Sequence, residues 1–474
     1  MRLASALCCF FVFTTVAHAD APPARESATS ENAHEVGSPP PPSETGNGFS
    51  FGSYGRVGIG IDGNGHEGYS TNIVSHGSRL EEPPYIELDL YYGGEVLGGR
   101  WRAVIAPAFT GDLFHYTGDF SSHFAVRNAY IETEDVGLRG LHFWAGSRMY
   151  RGDDVYLFDY WPLDNLNTVG GGASLRFGDN DVAVHAGQNL LNDPFQTQTQ
   201  LAPAHGIGAP IPALVLDRPR TITSAKYTRY LHFEKYPGAG AKFALYGEFH
   251  YLPDGDVPVP TQQRTEHLPS DFGWVAGAQF GIWARAYTFL NLFFRYAGGL
   301  AAYGDLSNPQ ALGTDKRALD AKELVLALSQ NIETKHVGIM AGAYFRRFTD
   351  PAPDPFNPRS YSEYIIAVRP QVYVTRWFHV AAELSGQGRF YDGVDPYLDR
   401  RLEPQVFRFS VLPIVSPLGK GTYTRPIIYG VYTLSVLNQD ARDALFDPTD
   451  VRYSASLVHY LGLGAEWWFQ SSYR

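Results

Sequence analysis

The feature that most constrains the fold of this chain is an alternation of apolar and polar residues in extended segments of roughly ten residues. The first segment, FSFGSYGRVGIGI (residues 49–61), places Phe49 on one face of a strand and Tyr54 and Arg56 on the other. A later segment, YIELDLY, repeats the pattern with two carboxylates on its polar face. Such segments predict a sheet with one apolar and one polar surface.

About eighteen segments of this kind follow one another, and the connectors between them alternate in length. Short connectors occur at residues 177–180, 236–240, 333–336 and 375–377. Long polar connectors occur at residues 188–221, 252–272, 299–319 and 437–453. Short turns, long loops and an even strand number are typical of an all-β, antiparallel transmembrane barrel. Beyond the N-terminal region no run of about 18 apolar residues occurs, so a closed barrel is the predicted way to span a membrane.

The composition favours strands over helices. Aromatic residues make up 14% of the chain, which also contains 49 Gly and only 3 Met. Charged residues make up 18%, below the average of about 25% for soluble proteins. The net charge of −11 excludes a nucleic-acid partner, because binding to backbone phosphates requires a basic surface.

The N-terminal region differs from the rest of the chain. Residues 1–19 combine a basic start, an apolar core and an Ala-His-Ala site, the pattern of a secretory signal peptide. Residues 20–48 are rich in Pro, Ser and Glu and predict a disordered spacer. Residues 49–474 are predicted to form the barrel. Both cysteines, Cys8 and Cys9, lie in the predicted signal peptide, so the exported protein is expected to fold without disulfides.

The stretch WAGSRMYRGDDVYLFDYW (residues 144–161) is unusually rich in aromatic and charged residues for a connector. It begins at the outer end of the fifth predicted strand and continues until GGGASLRF opens the sixth, so it contains the third long loop. An exposed loop of this composition would be a binding or aggregation surface. We therefore predict that residues 149–169 fold into the lumen of the barrel and narrow it.

Five pieces of the sequence, in order, resemble the maltoporin family of carbohydrate-specific outer-membrane porins. They are FGSYGRVGIG, SRLEEPPYIEL, WAGSRMYRGDDVYLFDYW, TYTRPIIY and GAEWWF. The resemblance implies a homotrimer of 18-stranded barrels in outer-membrane lipid, in which a file of aromatic rings guides oligosaccharides past polar side chains. The chemistry is suitable, because a pyranose has an apolar face that stacks on a ring and hydroxyls that need hydrogen-bond partners.

Two groups of substrate-binding residues carry over from the family motifs. The aromatic file comprises Tyr54, Tyr85, Phe289, Tyr423 and Trp468. The polar tracks and constriction comprise Arg56, Arg79, Glu87, Arg127, Arg151, Asp154, Tyr156, Asp159 and Trp161. For each ring the alternative is an interfacial or lipid-facing aromatic, and for each charge it is a solvated pore wall. Tyr156 stands where the family usually has histidine and Trp161 where it has tyrosine, which leaves the preferred sugar open.

Other patterns carry less weight. The GxGxxG match at residues 58–63 is followed by NGHEGYSTN rather than by a helix, so it does not predict a dinucleotide site. Asp154 and Asp159 could form a glycosidase pair, but nothing in the sequence favours catalysis over binding. The sequence predicts a sugar-selective outer-membrane channel with no enzymatic activity, cofactor or metal. The alternatives are a less selective porin for small hydrophilic or anionic solutes, since lumenal arginines attract anions, and a barrel enzyme.

Overall fold

The computed structural model describes residues 47–111, 118, 123–192, 195–202, 211–259, 264–285, 287–309, 312–351 and 359–471. The predicted signal peptide and nearly all of the predicted spacer lie outside these ranges. Within the described ranges, no helix is both long and apolar enough to cross a membrane.

Eighteen antiparallel strands form one closed sheet, which confirms the predicted strand number. They are β1 (Gly48–Asp62), β2 (Tyr85–Val96), β3 (Gly99–Thr110), β4 (His123–Glu134), β5 (Leu141–Arg151), β6 (Asn165–Phe177), β7 (Asn180–Asn189), β10 (Arg220–His232), β11 (Gly240–Leu252), β14 (Asp271–Arg285), β15 (Thr288–Gly299), β16 (Lys322–Glu333), β17 (Val337–Thr349), β18 (Tyr361–Tyr373), β19 (Phe378–Tyr391), β20 (Gln405–Val415), β21 (Ile427–Leu437) and β22 (Leu457–Phe469). The remaining strands form two hairpins in long loops, β8 (Thr197–Ala202) with β9 (Ile211–Asp217) and β12 (Gly255–Val259) with β13 (Arg264–Leu268).

The first and last strands close the barrel. Strand β1 pairs with β22, and Tyr54 lies opposite Trp468 in that ladder. On its other side β1 pairs with β2, where Tyr54 lies opposite Glu87. The closure brings together residues from the two ends of the barrel sequence, and it leaves the 18-stranded sheet without an open edge.

The outer surface of the barrel strands is apolar, and their inner surface carries buried polar side chains together with apolar ones. On β14, Phe280 and Ile282 are 45% and 39% exposed on the outer surface, while Gln279 is 2% exposed on the inner one. Inside the barrel the polar groups bond to one another, as where the Arg369 Nε donates to Glu383 at 2.8 Å. An apolar exterior around a polar interior is the expected arrangement for a barrel in lipid.

The predicted connectors are found where the alternation placed them. Short turns join β6 to β7, β10 to β11, β16 to β17, and β18 to β19, while long loops lie at the opposite end of the barrel. The long loop between β21 and β22 contains a short helix, Gln439–Leu445, whose first turn is capped by the Asn438 side chain accepting from the Ala441 N–H.

The third loop folds inward as predicted, but it is shorter than predicted. Strand β5 continues to Arg151 and β6 begins at Asn165, so the loop spans residues 152–164 rather than 149–169. Arg151 pairs with Asn165 and Met149 with Asn167 in the ladder between the two strands. The ladder satisfies backbone groups that would otherwise lie unpaired in the lumen, which is why the strands extend into the aromatic stretch.

Candidate functional site: a lumenal constriction

The third loop (residues 152–164) enters the lumen as a compact turn. Tyr156–Phe158 form a single 3-10 turn with all three side chains buried, and Asp159 follows in a left-handed conformation with φ 50°. Aspartate is among the few residue types that adopt this conformation readily. The Val155 N–H donates to the Tyr160 carbonyl oxygen at 2.7 Å and closes the turn.

Two ion pairs attach this loop to the barrel. At its start, Asp153 lies 2.5 Å from the Lys242 Nζ of β11, and both side chains are at most 5% exposed. The Gln279 side chain of β14 also donates to Asp153. At its end, Asp164 lies 2.8 Å from the Lys226 Nζ of β10. Both ends of the loop are therefore held on the same side of the barrel.

The first loop (residues 63–84) also folds into the lumen, which the sequence analysis did not predict. Ile73 and Val74 are buried in the same apolar cluster as the third loop. The Ile73 N–H donates to the Gln387 Oε1 at 3.1 Å, and the Ser78 hydroxyl donates to Glu383 at 2.5 Å. Because both acceptors belong to β19, the first loop lies along the barrel wall opposite the ion pairs of the third loop.

A turn enters the lumen from the other end of the barrel. Within the piece TYTRPIIY, β21 begins at Ile427, and residues 416–426 before it form a turn. The Thr422 hydroxyl donates to Glu333 at 2.9 Å, which holds the turn against β16. Tyr423 then projects towards the third loop, with its ring centroid 5.3 Å from that of Tyr156.

The five rings of the predicted aromatic file lie inside the barrel and belong to one chain of ring contacts. Tyr54 lies 5.9 Å from Tyr85 and 6.5 Å from Trp468, measured between ring centroids. The buried Trp161 packs in the same cluster. Tyr156 continues the chain, 6.0 Å from Trp468 and 5.3 Å from Tyr423. Tyr423 in turn lies 6.3 Å from Phe289. We call Tyr54, Tyr156, Trp161, Tyr423 and Trp468 the constriction.

Glu466 is the shared hydrogen-bond acceptor of the constriction. It accepts from the Tyr156 hydroxyl and from the Arg425 Nε, each at 2.8 Å. The Arg79 guanidinium lies 3.8 Å away and donates to the Tyr54 hydroxyl at 2.6 Å. Arg425 also covers the Trp468 ring, with its guanidinium carbon 4.3 Å from the ring centroid. Arginine and carboxylate therefore alternate beside the rings, which supplies charge-assisted donors and acceptors.

The remaining predicted polar residues fall into two places. Glu87 is fully buried, accepts from the Tyr85 hydroxyl at 2.8 Å and pairs with Arg127. Arg56 pairs with Glu82 at 3.1 Å. These pairs continue the polar surface beside the first two strands.

The charged residues of the third loop are also placed in the lumen. The Arg151 guanidinium carbon lies 3.9 Å from the centroid of the Trp161 ring. Asp159 lies 4.0 Å from Arg79, and Asp154 is 7% exposed within the loop. Asp159 of the third loop thus faces Arg79 of the first loop beside the constriction.

Arg425, Glu466 and Glu82 belong to the site but were not among the residues predicted from the sequence. The position of Glu466 on the inner face of β22 could be predicted, because Glu466 and Trp468 are two residues apart and side chains alternate between the two faces of a strand. Arg425 lies within the TYTRPIIY motif, but its position in the lumen depends on the turn formed by residues 416–426. Glu82 pairs with Arg79 three residues earlier, but nothing in the local sequence indicates its second partner, Arg56.

His76 of the first loop lies against the third loop. Its ring stacks on that of Tyr160 with centroids 4.0 Å apart. Desolvation inside the barrel, and next the Arg346 guanidinium, lower the pKa of His76 to about 4. Three carboxylates oppose this shift: Glu323, Glu363 and Asp159. The docked loop therefore binds a proton less readily than the free loop, whose His pKa is about 6.5.

Acid should consequently loosen the contact between the first and third loops. The stabilising contribution of neutral His76 is fully present above about pH 6.5 and is lost as the pH falls towards about 4. We expect single-channel conductance to rise over this range in the wild type and to change less in His76→Gln, which cannot titrate. Conductance profiles of the two proteins that coincide from pH 7 to pH 4 would contradict this role.

An 18-stranded barrel with an apolar exterior, a polar lumen and loops folded inward to a constriction defines a channel of the porin class. A family model described as LamB porin matches residues 49–469. The chain belongs to the LamB porin family, a family of multi-pass barrels of the outer membrane.

Individual relatives are more distant. A maltoporin of Vibrio cholerae serotype O1 (strain ATCC 39315 / El Tor Inaba N16961) is 30% identical over 141 residues, which cover 28% of this chain and 33% of the relative. The match spans about a third of the length of this curated relative. Among solved structures, OccD3 (OpdP) of Pseudomonas aeruginosa has a TM-score of 0.43 at 9% identity and covers 90% of this chain and 93% of its own. The outer membrane channel DcaP of Acinetobacter baumannii has a TM-score of 0.45 at 10% identity and covers 89% and 98%.

Proposed function

We propose that this porin is a sugar-selective channel that lets oligosaccharides diffuse down their gradient without covalent chemistry. The observation that carries the proposal is the unbroken chain of rings from Trp161 through Tyr54, Trp468, Tyr156 and Tyr423 to Phe289. Tyr85 and Trp468 are the partly buried rings of this file and present faces on which a pyranose can stack, while the other rings hold them in place.

Charged side chains beside the rings match the second need of a sugar. Each sugar hydroxyl that leaves water requires a hydrogen-bond donor or acceptor. Arg79 and Arg425 can donate, and Glu466, which lies 3.8 Å from Arg79 and 2.8 Å from Arg425, can accept. The carboxylates of Asp154 and Asp159 are proposed to accept hydrogen bonds from sugar hydroxyls on the loop side. The maltoporin name of the Vibrio cholerae relative agrees with an oligosaccharide substrate.

Replacing Tyr85 or Trp468, the two partly buried rings of the file, by Ala tests the proposal directly. Loss of one aromatic contact is worth about 1 kcal/mol, so affinity for a blocking oligosaccharide should fall by about fivefold, while ion conductance stays similar. Sugar-induced block of single-channel current in a planar bilayer measures both quantities. Tyr92→Ala is the matched control, because Tyr92 is 57% exposed on the outer surface of β2. Equal sugar block in all three variants and the wild type would refute a stacking role for these rings.

A less selective channel that admits anions is the second candidate, and one observation favours it. A small cavity of about 50 Å³ beside the constriction contains more cationic than anionic side chains in its lining. They are Arg56, Arg79, Arg369, Arg425, Glu82 and Glu466. Such a lining raises the local concentration of anions. A strongly anion-selective reversal potential together with no block by any oligosaccharide would favour this candidate over the sugar channel.

The homotrimer implied by the family resemblance stays a prediction, as does cleavage of residues 1–19. The mass of the detergent-solubilised particle would decide the first, and N-terminal sequencing of the exported protein would decide the second.

A further inference from the structure

A second row of aromatic rings lies at the end of the barrel that carries the long loops. Tyr303 of the loop after β15 lies 5.2 Å from Phe348 of β17, measured between ring centroids. Phe348 lies 5.8 Å from Tyr361 of β18, which lies 6.1 Å from Tyr391 of β19. These distances fall within the range of aromatic contacts, so the four rings form a continuous row. We call Tyr303, Phe348, Tyr361 and Tyr391 the vestibule row.

The vestibule row and the constriction pack against one buried cluster but come from different elements. Its strands, β17 to β19, belong to the wall along which the first loop lies, whereas the constriction rings come from β1, β22, the third loop and the turn 416–426. All four rings line a cavity of about 620 Å³ between the long loops. Ligand sites for small molecules typically measure about 300–1,000 Å³, so the cavity has room for a short saccharide.

Two arginines hold the row in place. The Arg346 guanidinium donates to the Tyr361 hydroxyl at 2.6 Å, and that of Arg389 donates to the Tyr391 hydroxyl at 3.2 Å. Arg389 also covers the Tyr361 ring at 4.6 Å. Both arginines are fixed from behind by the fully buried Glu363, 3.7 Å from Arg346 and 2.5 Å from Arg389. The rings are therefore preorganised rather than free to reorient.

The charges of the cavity favour an uncharged ligand. Its lining contains three arginines and three aspartates, namely Arg346, Arg359, Arg389, Asp350, Asp395 and Asp443. The formal charges cancel, so the lining offers many donors and acceptors without a net attraction for anions or cations. Ser307 and Asn308 add neutral polar groups to the same lining. Aromatic faces beside balanced polar groups suit the two surfaces of a neutral pyranose.

We propose that the vestibule row is a second sugar subsite, which takes one end of a neutral oligosaccharide before the chain reaches the constriction. This inference rests on the proposed sugar channel and adds a capture step at the outer mouth. A capture site raises the rate at which long chains enter from that side. A monosaccharide gains less, because it cannot occupy the row and the constriction together.

The test is sided block of single-channel current by maltohexaose, cellohexaose and xylohexaose. With the hexasaccharide that blocks the wild type, Tyr391→Ala should lower the block on-rate about fivefold for sugar added on the long-loop side, and less for sugar added on the other side. Tyr391→Leu keeps most of the volume but removes the flat ring, and it should lose the same on-rate. Tyr397→Ala is the matched control, because Tyr397 is 94% exposed in the neighbouring loop and lies outside the cavity lining.

The outcomes separate the two proposals. A wild-type channel that none of the three hexasaccharides blocks overturns the sugar channel and the subsite with it. A blocked wild type whose on-rate from the long-loop side is unchanged in both Tyr391→Leu and Tyr361→Leu overturns the subsite alone. An equal loss of on-rate from both sides would also overturn it, because such a loss belongs to the constriction.

Discussion

Replacing Lys242 with Met should release the third loop from the barrel wall and turn a narrow channel into a wide one. The change leaves the buried Asp153 carboxylate without its cation, and breaking a buried ion pair in this way costs about 3–5 kcal/mol. That cost weakens the attachment of the loop, which then rests on the pair between Asp164 and Lys226 and on the buried side chains of its turn. We expect single-channel conductance to rise severalfold and block by oligosaccharide to be lost.

Two further variants serve as controls for Lys242→Met. Combining Lys242→Met with Asp153→Asn removes both charges and keeps a hydrogen-bonding partner for Gln279, so conductance should return towards the wild-type value. Lys316→Met breaks an ion pair of similar length, 2.8 Å to Glu266, but in an exposed position, so it should change nothing. A folded Lys242→Met channel with wild-type conductance and block would show that the loop is held by other contacts.

Replacing Glu466 with Gln should make the channel strongly selective for anions. The substitution keeps the shape of the side chain but leaves Arg425 and Arg79 without their shared carboxylate. Two unit charges about 4 Å apart interact by about 4 kcal/mol at an effective dielectric constant of about 20. A third of this energy is enough to change a permeability ratio about tenfold. The reversal potential in a KCl gradient measures that ratio.

The same variant should also weaken sugar block, since the Tyr156 hydroxyl loses a charged acceptor and the constriction loses its fixed geometry. Glu134→Gln is the matched control, because Glu134 pairs with Arg100 in a position where both side chains are about half exposed. An unchanged reversal potential in Glu466→Gln would mean that permeating ions do not pass this carboxylate.

Most of the barrel could be predicted because its signal is local. The side-chain period of a strand is two residues, and in a barrel one face meets lipid while the other meets the lumen. The alternation in each strand therefore predicts which residues face inward, and Tyr54, Tyr85 and Trp468 lie on the predicted inner face. The length of each connector likewise predicts at which end of the barrel it lies.

The extent of the inward loops could not be predicted from local sequence patterns. The composition of residues 149–169 does not indicate which of them pair in a strand ladder and which turn into the lumen. The pairing of β5 with β6 limits the loop to residues 152–164. The inward fold of the first loop is indicated only by a few apolar residues in a largely polar connector, among them Ile73 and Val74. Their partners in the third loop lie about eighty residues further along the chain, out of reach of any local pattern.

The sequence by itself thus determined that this chain is a closed barrel with a polar, ring-bearing lumen, because lipid imposes the same alternation on every strand. Only the tertiary structure decided which side chains form the constriction. The Tyr156 hydroxyl and Glu466 are 310 residues apart in sequence and are joined by a 2.8 Å hydrogen bond. That contact exists because β22 closes on β1 while a loop from one end and a turn from the other meet inside. Because the geometry of the constriction depends on the closure of all eighteen strands, no single segment of the sequence predicts it.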